Sequence, residues 1–473
     1  MQHRSIPRRT FLQGAGGALL SAAALRGQKP QPPNFVLILC DDLGYGDLEI
    51  YGSKIETPYI NGMAREGVRF EQFYATSNVC SPSRASLLTG RYQTRVGVPD
   101  VLAADATAGL SLSETTIAEM LKPGGYKTMA VGKWHLGRLR QYLPTNRGFD
   151  EYYGIPYSND MSPSVLLHNM DVIESPVQLN SLTQRYTQQA VNFIQRSKGS
   201  PFFLYLAHTF PHIPLAVSTA FEGKSGLGLY GDVVQEIDWS VGQVLQALKD
   251  NGVDNNTLVM LTSDNWPWYQ GSAGKLRGRK GSSYEGGVRE PFIARFPGRI
   301  PNGPSRLRGP RVGHAVATTM DILPTLARLS NATLPAQPLD GLDIWPILSG
   351  EQSRMERDAF LYFDSWNLQC ARLGPWKLHV ARYNTFPWSP DPPGGRQNLR
   401  LQSPELYNLE QDPDESYNVA AQNPQIVAEI QGRIQQLLPS FPSDVMNAWQ
   451  TTMGANVVYT PEGALPALAP VQP

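Results

Sequence analysis

Four short strings carry side chains that could do chemistry together. Asp41-Asp42 closes an unbroken apolar run, Asn34 to Cys40, and Thr262-Ser263-Asp264-Asn265 closes another, Thr257 to Leu261. Carboxylates at the end of a buried strand are costly unless something positive lies beside them. Gly44 and Gly46 would let Asp41 and Asp42 bend toward one cation, although an acidic turn exposed to water fits the same string. Asp41, Asp42, Asp264 and Asn265 offer side-chain oxygens with no thiolate or imidazole among them. Such a set selects a hard cation, Ca²⁺ or Mg²⁺, over zinc. Lys133 and His135 follow Gly132 in a turn and can reach one anion from the same side, though a surface lysine and a packed histidine share that spacing. Cys80 opens Cys80-Ser-Pro-Ser-Arg84-Ala-Ser-Leu-Leu-Thr-Gly90-Arg91. Pro82 is tolerated in a first helical turn and Gly90 makes a stop, so Cys80 would sit at a helix N-terminus, where anions are favoured. Arg84 adds a fixed cation one turn on. A buried free cysteine beside a surface arginine is the plain alternative.

The elements that must position these strings are readable in outline. Asn34–Cys40, Tyr126–Val131, Pro201–Ala207 and Thr257–Leu261 read as strands, and the continuously apolar ones suit a parallel sheet buried on both faces. In open α/β sheets, ligands gather at the carboxyl ends of the strands. Helices are expected at Thr57–Glu66 with Thr57 as cap, at Ser113–Leu121, at Leu182–Arg196 and at Tyr230–Asp250. Thr318–Leu329, Gly341–Leu348 and Pro424–Leu438 read as further helices, and Ala359–Phe363 and Trp376–Val380 as strands. His208 and His212 are four apart, but Pro211 and Pro214 forbid the helix that would make them a metal pair.

Composition narrows the classes. The chain has 473 residues, with 41 Lys+Arg balanced by 41 Asp+Glu, which argues against broad nucleic-acid binding. Cys40, Cys80 and Cys370 make no disulfide framework. Residues 1–27 read as an export signal: a basic start with Arg8-Arg9 in a twin-arginine pattern, then a Gly/Ala-rich run too short for a comfortable membrane span. The expected organisation is this signal, a linker at 28–33, a large domain at 34–350, a smaller one at 351–448, and a poorly ordered Ala/Pro-rich tail at 449–473. Lys275 to Arg311 carries ten basic residues against Glu285 and Glu290, either a rim for sulfated polymers or a solvated surface.

Cys80-Ser-Pro-Ser-Arg84 followed by Leu87-Leu-Thr-Gly-Arg91 resembles the signature of the type I sulfatases. The branch containing arylsulfatase A and N-acetylgalactosamine-6-sulfatase is the nearest likeness. Gly132-Lys-Trp-His-Leu-Gly137, Gly154-Ile-Pro-Tyr-Ser158, His212 and Arg279-Lys280-Gly-Ser-Ser-Tyr-Glu-Gly-Gly-Val-Arg-Glu-Pro291 resemble further elements of that family, in the same order. The resemblance implies an alkaline-phosphatase-like α/β fold: a mostly parallel sheet flanked by helices, with a C-terminal subdomain of antiparallel sheet plus helix. It implies hydrolysis of an aryl or carbohydrate sulfate ester. Cys80 would be oxidised to formylglycine by a generating enzyme, and its hydrate would be the nucleophile beside one calcium ion. Asp41, Asp42, residue 80, Asp264 and Asn265 would hold the ion. Asp264 would assist deprotonation, Lys133 and Lys280 would hold the sulfate oxygens, and His212 would serve the leaving oxygen. His135 would be the base that releases sulfate, Arg84 would orient the hydrate, and Ser158 would hydrogen-bond in the pocket. The match selects Lys280 over Lys275, and leaves His208 a structural role. Trp266 departs from the glycine usual after the Asp-Asn pair, which puts the loop geometry in question. Export through the twin-arginine translocon to the periplasm or exterior follows from the signal, with no stable membrane insertion. The alternatives are a phosphonate or phosphodiester hydrolase of the same superfamily and a non-catalytic binder of sulfated polysaccharide.

Overall fold

The computed structural model describes residues 31–302, 310–386, 388–392, 394–459 and 467–468. The signal segment and its arginine pair lie outside these residues. The main sheet takes, in chain order, β1 (Asn34–Cys40), β2 (Val68–Tyr74), β3 (Lys127–Gly132), β4 (Glu151–Gly154), β5 (Leu166–His168), β6 (Asp171–Glu174), β7 (Phe202–Ala207), β8 (Thr257–Ser263), β9 (Arg289–Arg295), β10 (Arg311–Gly313) and β11 (Ala317–Thr318). Their spatial order is β10-β2-β9-β8-β1-β7-β3-β4-β5-β6, with β11 also on β2. Strands β8, β1, β7, β3 and β4 run parallel, and β9 runs antiparallel between β8 and β2.

Alternation along β1 explains the layering. Phe35, Leu37 and Leu39 face one core with Phe203, Tyr205 and Met260. Val36, Ile38 and Cys40 face the other with Leu204, Leu206 and Val259. Successive side chains of a strand point to opposite faces, so an all-apolar strand is what a sheet covered on both sides requires. Helices α1 (Pro58–Arg65), α4 (Leu182–Ser197) and α5 (Gly228–Asp250) cover the second face. Helix α2 (Cys80–Thr89) and the short α3 (Ile117–Leu121) lie on the first.

A second sheet, β12 (Phe360–Asp364), β13 (Asn367–Leu373), β14 (Trp376–Tyr383), β15 (Asn398–Asn408), β16 (Val457–Tyr459) and β17 (Ala467–Leu468), is antiparallel but for the β15–β16 pair. It shares a core with the helices Pro424–Leu437 and Ser443–Gly454. Among the described residues no helix is long and apolar enough to cross a membrane.

Several expectations are corrected. Thr57 does not cap α1 through its side chain; Asp238 of α5 does so, accepting from Tyr59 N at 3.2 Å and Ile60 N at 2.8 Å. Ser113–Thr116 is not helical: α3 starts only after Thr116, which forms a capping box with Glu119. Gly341–Ile344 is likewise irregular ahead of the helix Trp345–Ser349. The tail expected from 449 begins inside the helix Ser443–Gly454, because Trp449 and Met453 pack on the second sheet. The basic run Lys275–Arg311 is not one surface. Arg289 and Arg295 are buried, and Arg295 pairs with Glu66 and Asp254.

Candidate active site

Parallel register gathers the chemistry at one edge. Cys40 is level with Ser263, Leu39 with Ala207, and Gly132 with Ala207. The chain therefore delivers Asp41-Asp42, Asp264-Asn265, His208 to His212 and Lys133 side by side, at the carboxyl ends of β1, β8, β7 and β3. Gly132 has φ 105°, and a Cβ there would come within 1.8 Å of Ala207 O, so only glycine permits this close pairing. Cys80 is the first residue of α2, above the same edge, with Val79 extended before it and Gly90 left-handed at the end.

The edge is a buried charge network. Arg84, far from being a surface residue, is fully buried. It donates from Nη2 to Asp41 at 3.0 Å, from Nε to Asp264 at 2.9 Å and from Nη1 to Lys133 O at 2.6 Å. Lys133 Nζ meets Asp41 at 2.5 Å and Ser158 Oγ at 3.0 Å. Lys280 Nζ donates to both oxygens of Asp42, at 2.7 and 2.8 Å, and lies 3.5 Å from Cys80 Sγ. Asn265 Nδ2 donates to Asp42 at 2.6 Å, and Asp42 N donates to Asp264 at 3.2 Å. Asp42 and His135 hold φ near 60°, a left-handed conformation that non-glycine residues adopt at a cost.

Protonation follows from burial and these partners. Burial alone would raise Asp41, but Lys133 and Arg84 hold it well below the usual carboxylate range. Burial, then Asp41, pushes Asp264 up to about 6. Burial would lower Lys280, yet Asp42 and its neighbours raise it, so it stays charged. Burial, and after it Asp41, pushes the Cys80 thiol far up. The thiol donates to Asp41 Oδ1 at 3.5 Å and stays protonated, which makes it a poor nucleophile as it stands.

The two histidines are fixed by carbonyls, which can only accept. His135 Nε2 lies 3.0 Å from Leu102 O, so Nε2 carries the hydrogen. Its buried Nδ1 is a lone pair without a partner among the described residues. His212 Nδ1 lies 2.5 Å from Ile213 O, which leaves Nε2 as acceptor, 3.8 Å from Asp42. Burial, then Lys280 and Lys133, lowers His212 to about 3. His208 stands apart, buried under Ser240 Oγ at 3.3 Å.

The ligand atoms of Asp41, Asp42, Cys80 and His212 lie within 4.8 Å of one another. His212 enters this group although the sequence does not mark it as a ligand. Asp264 stands outside it, bonded to it through Asp42 N and Arg84. Asn265 Oδ1 is buried with no hydrogen-bond partner among the described residues. A buried amide oxygen left free beside carboxylates suits a hard divalent cation, so the donors present fit one.

Trp266 does not disturb the edge. It is fully buried, and its indole N–H donates to Arg289 O. Sequence reasoning missed two supports. Asn159 Nδ2 donates to Pro214 O at 3.2 Å and to His212 O at 3.5 Å, steadying the His212 loop. Asp47 accepts from Gly44 N at 2.7 Å, Ser272 N at 2.8 Å and Tyr230 O–H at 2.5 Å, tying the two ligand loops together. The glycines around Asp47 were the only signal for the second.

Residues 33–332 match the sulfatase family, and residues 355–459 match the C-terminal region of aryl-sulfatase. An α/β sheet with such an edge, matched over most of its length to that family, defines the class: the chain belongs to the sulfatase family and is a sulfuric ester hydrolase. It is 37% identical to human arylsulfatase A over 461 residues, covering 88% of this chain and 89% of the relative. With dog (Canis lupus familiaris) N-acetylgalactosamine-6-sulfatase it shares 39% over 396 residues, 76% of this chain and 74% of that one. A solved structure reported under metabolism of multiple glycosaminoglycans by Bacteroides thetaiotaomicron (BT33336S-sulf) superposes with TM-score 0.77 at 28% identity, over 86% of this chain and 99% of that one. Ps i-CgsB in complex with k-i-k-neocarrahexaose superposes with TM-score 0.74 at 29% identity, over 86% and 92%.

Proposed function

We propose that this sulfatase cleaves aryl or carbohydrate sulfate esters with an aldehyde made from Cys80, beside a calcium ion held by Asp41, Asp42, Asp264 and Asn265. The observation that carries the reading is the placement of Cys80 at the N-terminus of α2, with Sγ 3.5 Å from both Asp41 Oδ1 and Lys280 Nζ. As a thiol, position 80 has little to offer an anionic ester. A hydrated carbonyl there supplies one hydroxyl to attack sulfur and a second to release sulfate, whereas serine would supply only the first. The cation supplies positive charge to the sulfate oxygens.

The chain's own residues do the rest. Lys133 spends donors on Asp41 and Ser158 and, having three, keeps one for a sulfate oxygen. Lys280 holds another as charge builds, the preorganised stabilisation that a water-excluded site makes effective. Asp264, held in place by Asp42 N and Arg84 Nε, takes the proton of the attacking group. His212 Nε2 and Lys280 serve the leaving oxygen; an anionic ester offsets the lysines and restores proton affinity to His212. His135 Nδ1 takes the proton that frees sulfate. Arg84 locks Asp41 and Asp264 in place and touches no substrate. The twin-arginine segment exports a folded protein, so a formylglycine-generating enzyme must act on residue 80 beforehand, in the cytoplasm. The catalytic unit ends near residue 350.

Serine at 80 separates attack from release. Cys80→Ser, incubated with a ³⁵S-labelled aryl sulfate, should retain label covalently without turning over, while Cys80→Ala retains none. Steady turnover by Cys80→Ala would reject the mechanism.

A further inference from the structure

A cavity of about 340 Å³ opens between the loop that carries Lys280 and the second sheet. Its walls include Gly281, Tyr284, Asp364, Tyr383 and Phe386. Gly281 follows Lys280 directly, and its N donates to Asn78 O at 3.2 Å, two residues before Cys80. Asn78 Nδ2 in turn donates to Asp364 at 3.2 Å. The cavity wall is thus hydrogen-bonded to the backbone that carries residue 80.

One wall residue, Phe386, belongs to a cluster of aromatic rings. Phe386 stacks on Trp388 with centroids 5.5 Å apart and planes 7° apart, and Trp388 meets Trp268 at 4.6 Å. Tyr269 and Phe386 are exposed, an unusual placement for large rings. Gly281 has φ 80°, and a Cβ there would come within 2.5 Å of Trp388, so the glycine admits the indole against the Lys280 loop. Trp388 Nε1 is buried and has no partner among the described residues. Among the described residues Asp364 takes Asn78 and Arg396 on Oδ2 alone, which leaves Oδ1 to accept from a hydroxyl. The Phe386 ring beside an unspent acceptor on Asp364 matches a pyranose, which has an apolar C–H face and a hydroxyl edge.

We propose that this cavity is a subsite for a sugar residue joined to the sulfated one, so that the enzyme acts on sulfated oligosaccharides rather than on isolated sulfated monosaccharides. Phe386 and Trp388, between β14 and β15, set that preference. This rests on the sulfatase reading above, and the experiment keeps the two apart. The wild type, Trp388→Ala and Phe386→Ala are assayed on 4-nitrophenyl sulfate, N-acetylgalactosamine 6-sulfate, and size-defined chondroitin 6-sulfate and carrageenan oligosaccharides. The expected result is wild-type kcat/KM at least tenfold higher on one oligosaccharide series than on the monosaccharide. Each variant should lose most of that gain and keep its 4-nitrophenyl sulfate rate within about twofold. No gain with chain length on either series, or equal losses on aryl and oligosaccharide substrates, would overturn the subsite and leave the sulfatase reading standing. No wild-type turnover of any sulfate ester would overturn both.

Discussion

At the scale of single residues, the site is a set of charges that are stable only together. Arg84 joins Asp41 to Asp264, and Lys280 grips both oxygens of Asp42. Removing one partner leaves the other buried and unpaired. Lys280→Ala should therefore cost on the order of 2–4 kcal/mol of transition-state stabilisation, read as kcat/KM, the size found on losing one oxyanion donor. Lys275→Ala, exposed on the same loop, should remain near wild type; the reverse pattern would show that the wrong lysine had been chosen. Part of this set was legible from residue types: Asp41, Asp42 and Asp264 stand out as carboxylates at the ends of apolar strands, where the structure places them. The burial of Arg84 was not legible, since its partners lie 43 and 180 residues away. Nor were the tautomers of His135 and His212, which depend on backbone carbonyls that no side-chain pattern reveals.

At the scale of elements, local signals did well where one element answers to its own sequence. β1 keeps the bounds its apolar run implies, because both of its faces are buried. They failed where distant elements intervene. Helix α1 is capped by Asp238, 178 residues from Ile60, not by its own Thr57. Burial, opposed by the two amide hydrogen bonds, raises Asp238 to about 7. The sign follows: the folded state keeps a proton that the unfolded chain has released above its lower pKa. Between those values folding binds protons, and stability falls as pH rises from about 4 to 7. Asp238→Asn should flatten that slope, so the wild-type minus variant difference in unfolding free energy should decline across this window. A difference that stays level or grows would contradict the assignment. The second sheet reaches the site through similar long-range ties. Lys377 of β14 binds Glu285 at 3.0 Å and Glu415 at 3.2 Å, and Glu285 N donates to Glu415 at 2.5 Å. Glu285 opens the turn that follows the Lys280 loop, so the C-terminal sheet helps hold that loop.

At the scale of the whole molecule, one sheet supplies the strand ends and the other closes the Lys280 side. The division was visible as a change of texture near residue 358, but the contribution of Phe386 and Trp388 was not. Nothing local in the sequence shows that Phe386 and Trp388 face the Lys280 loop. The tail was misjudged because Ala/Pro composition in the last residues outweighed Trp449 and Met453, which have a surface to pack against. All of it converges on the oxidation state of one side chain. The deciding measurement is the mass of the peptide spanning residue 80, taken from exported, active enzyme and compared with specific activity across preparations. The account predicts loss of H₂S and gain of one oxygen at Cys80, in a fraction that rises in proportion to activity. Fully active enzyme in which that peptide still carries its sulfur would contradict it.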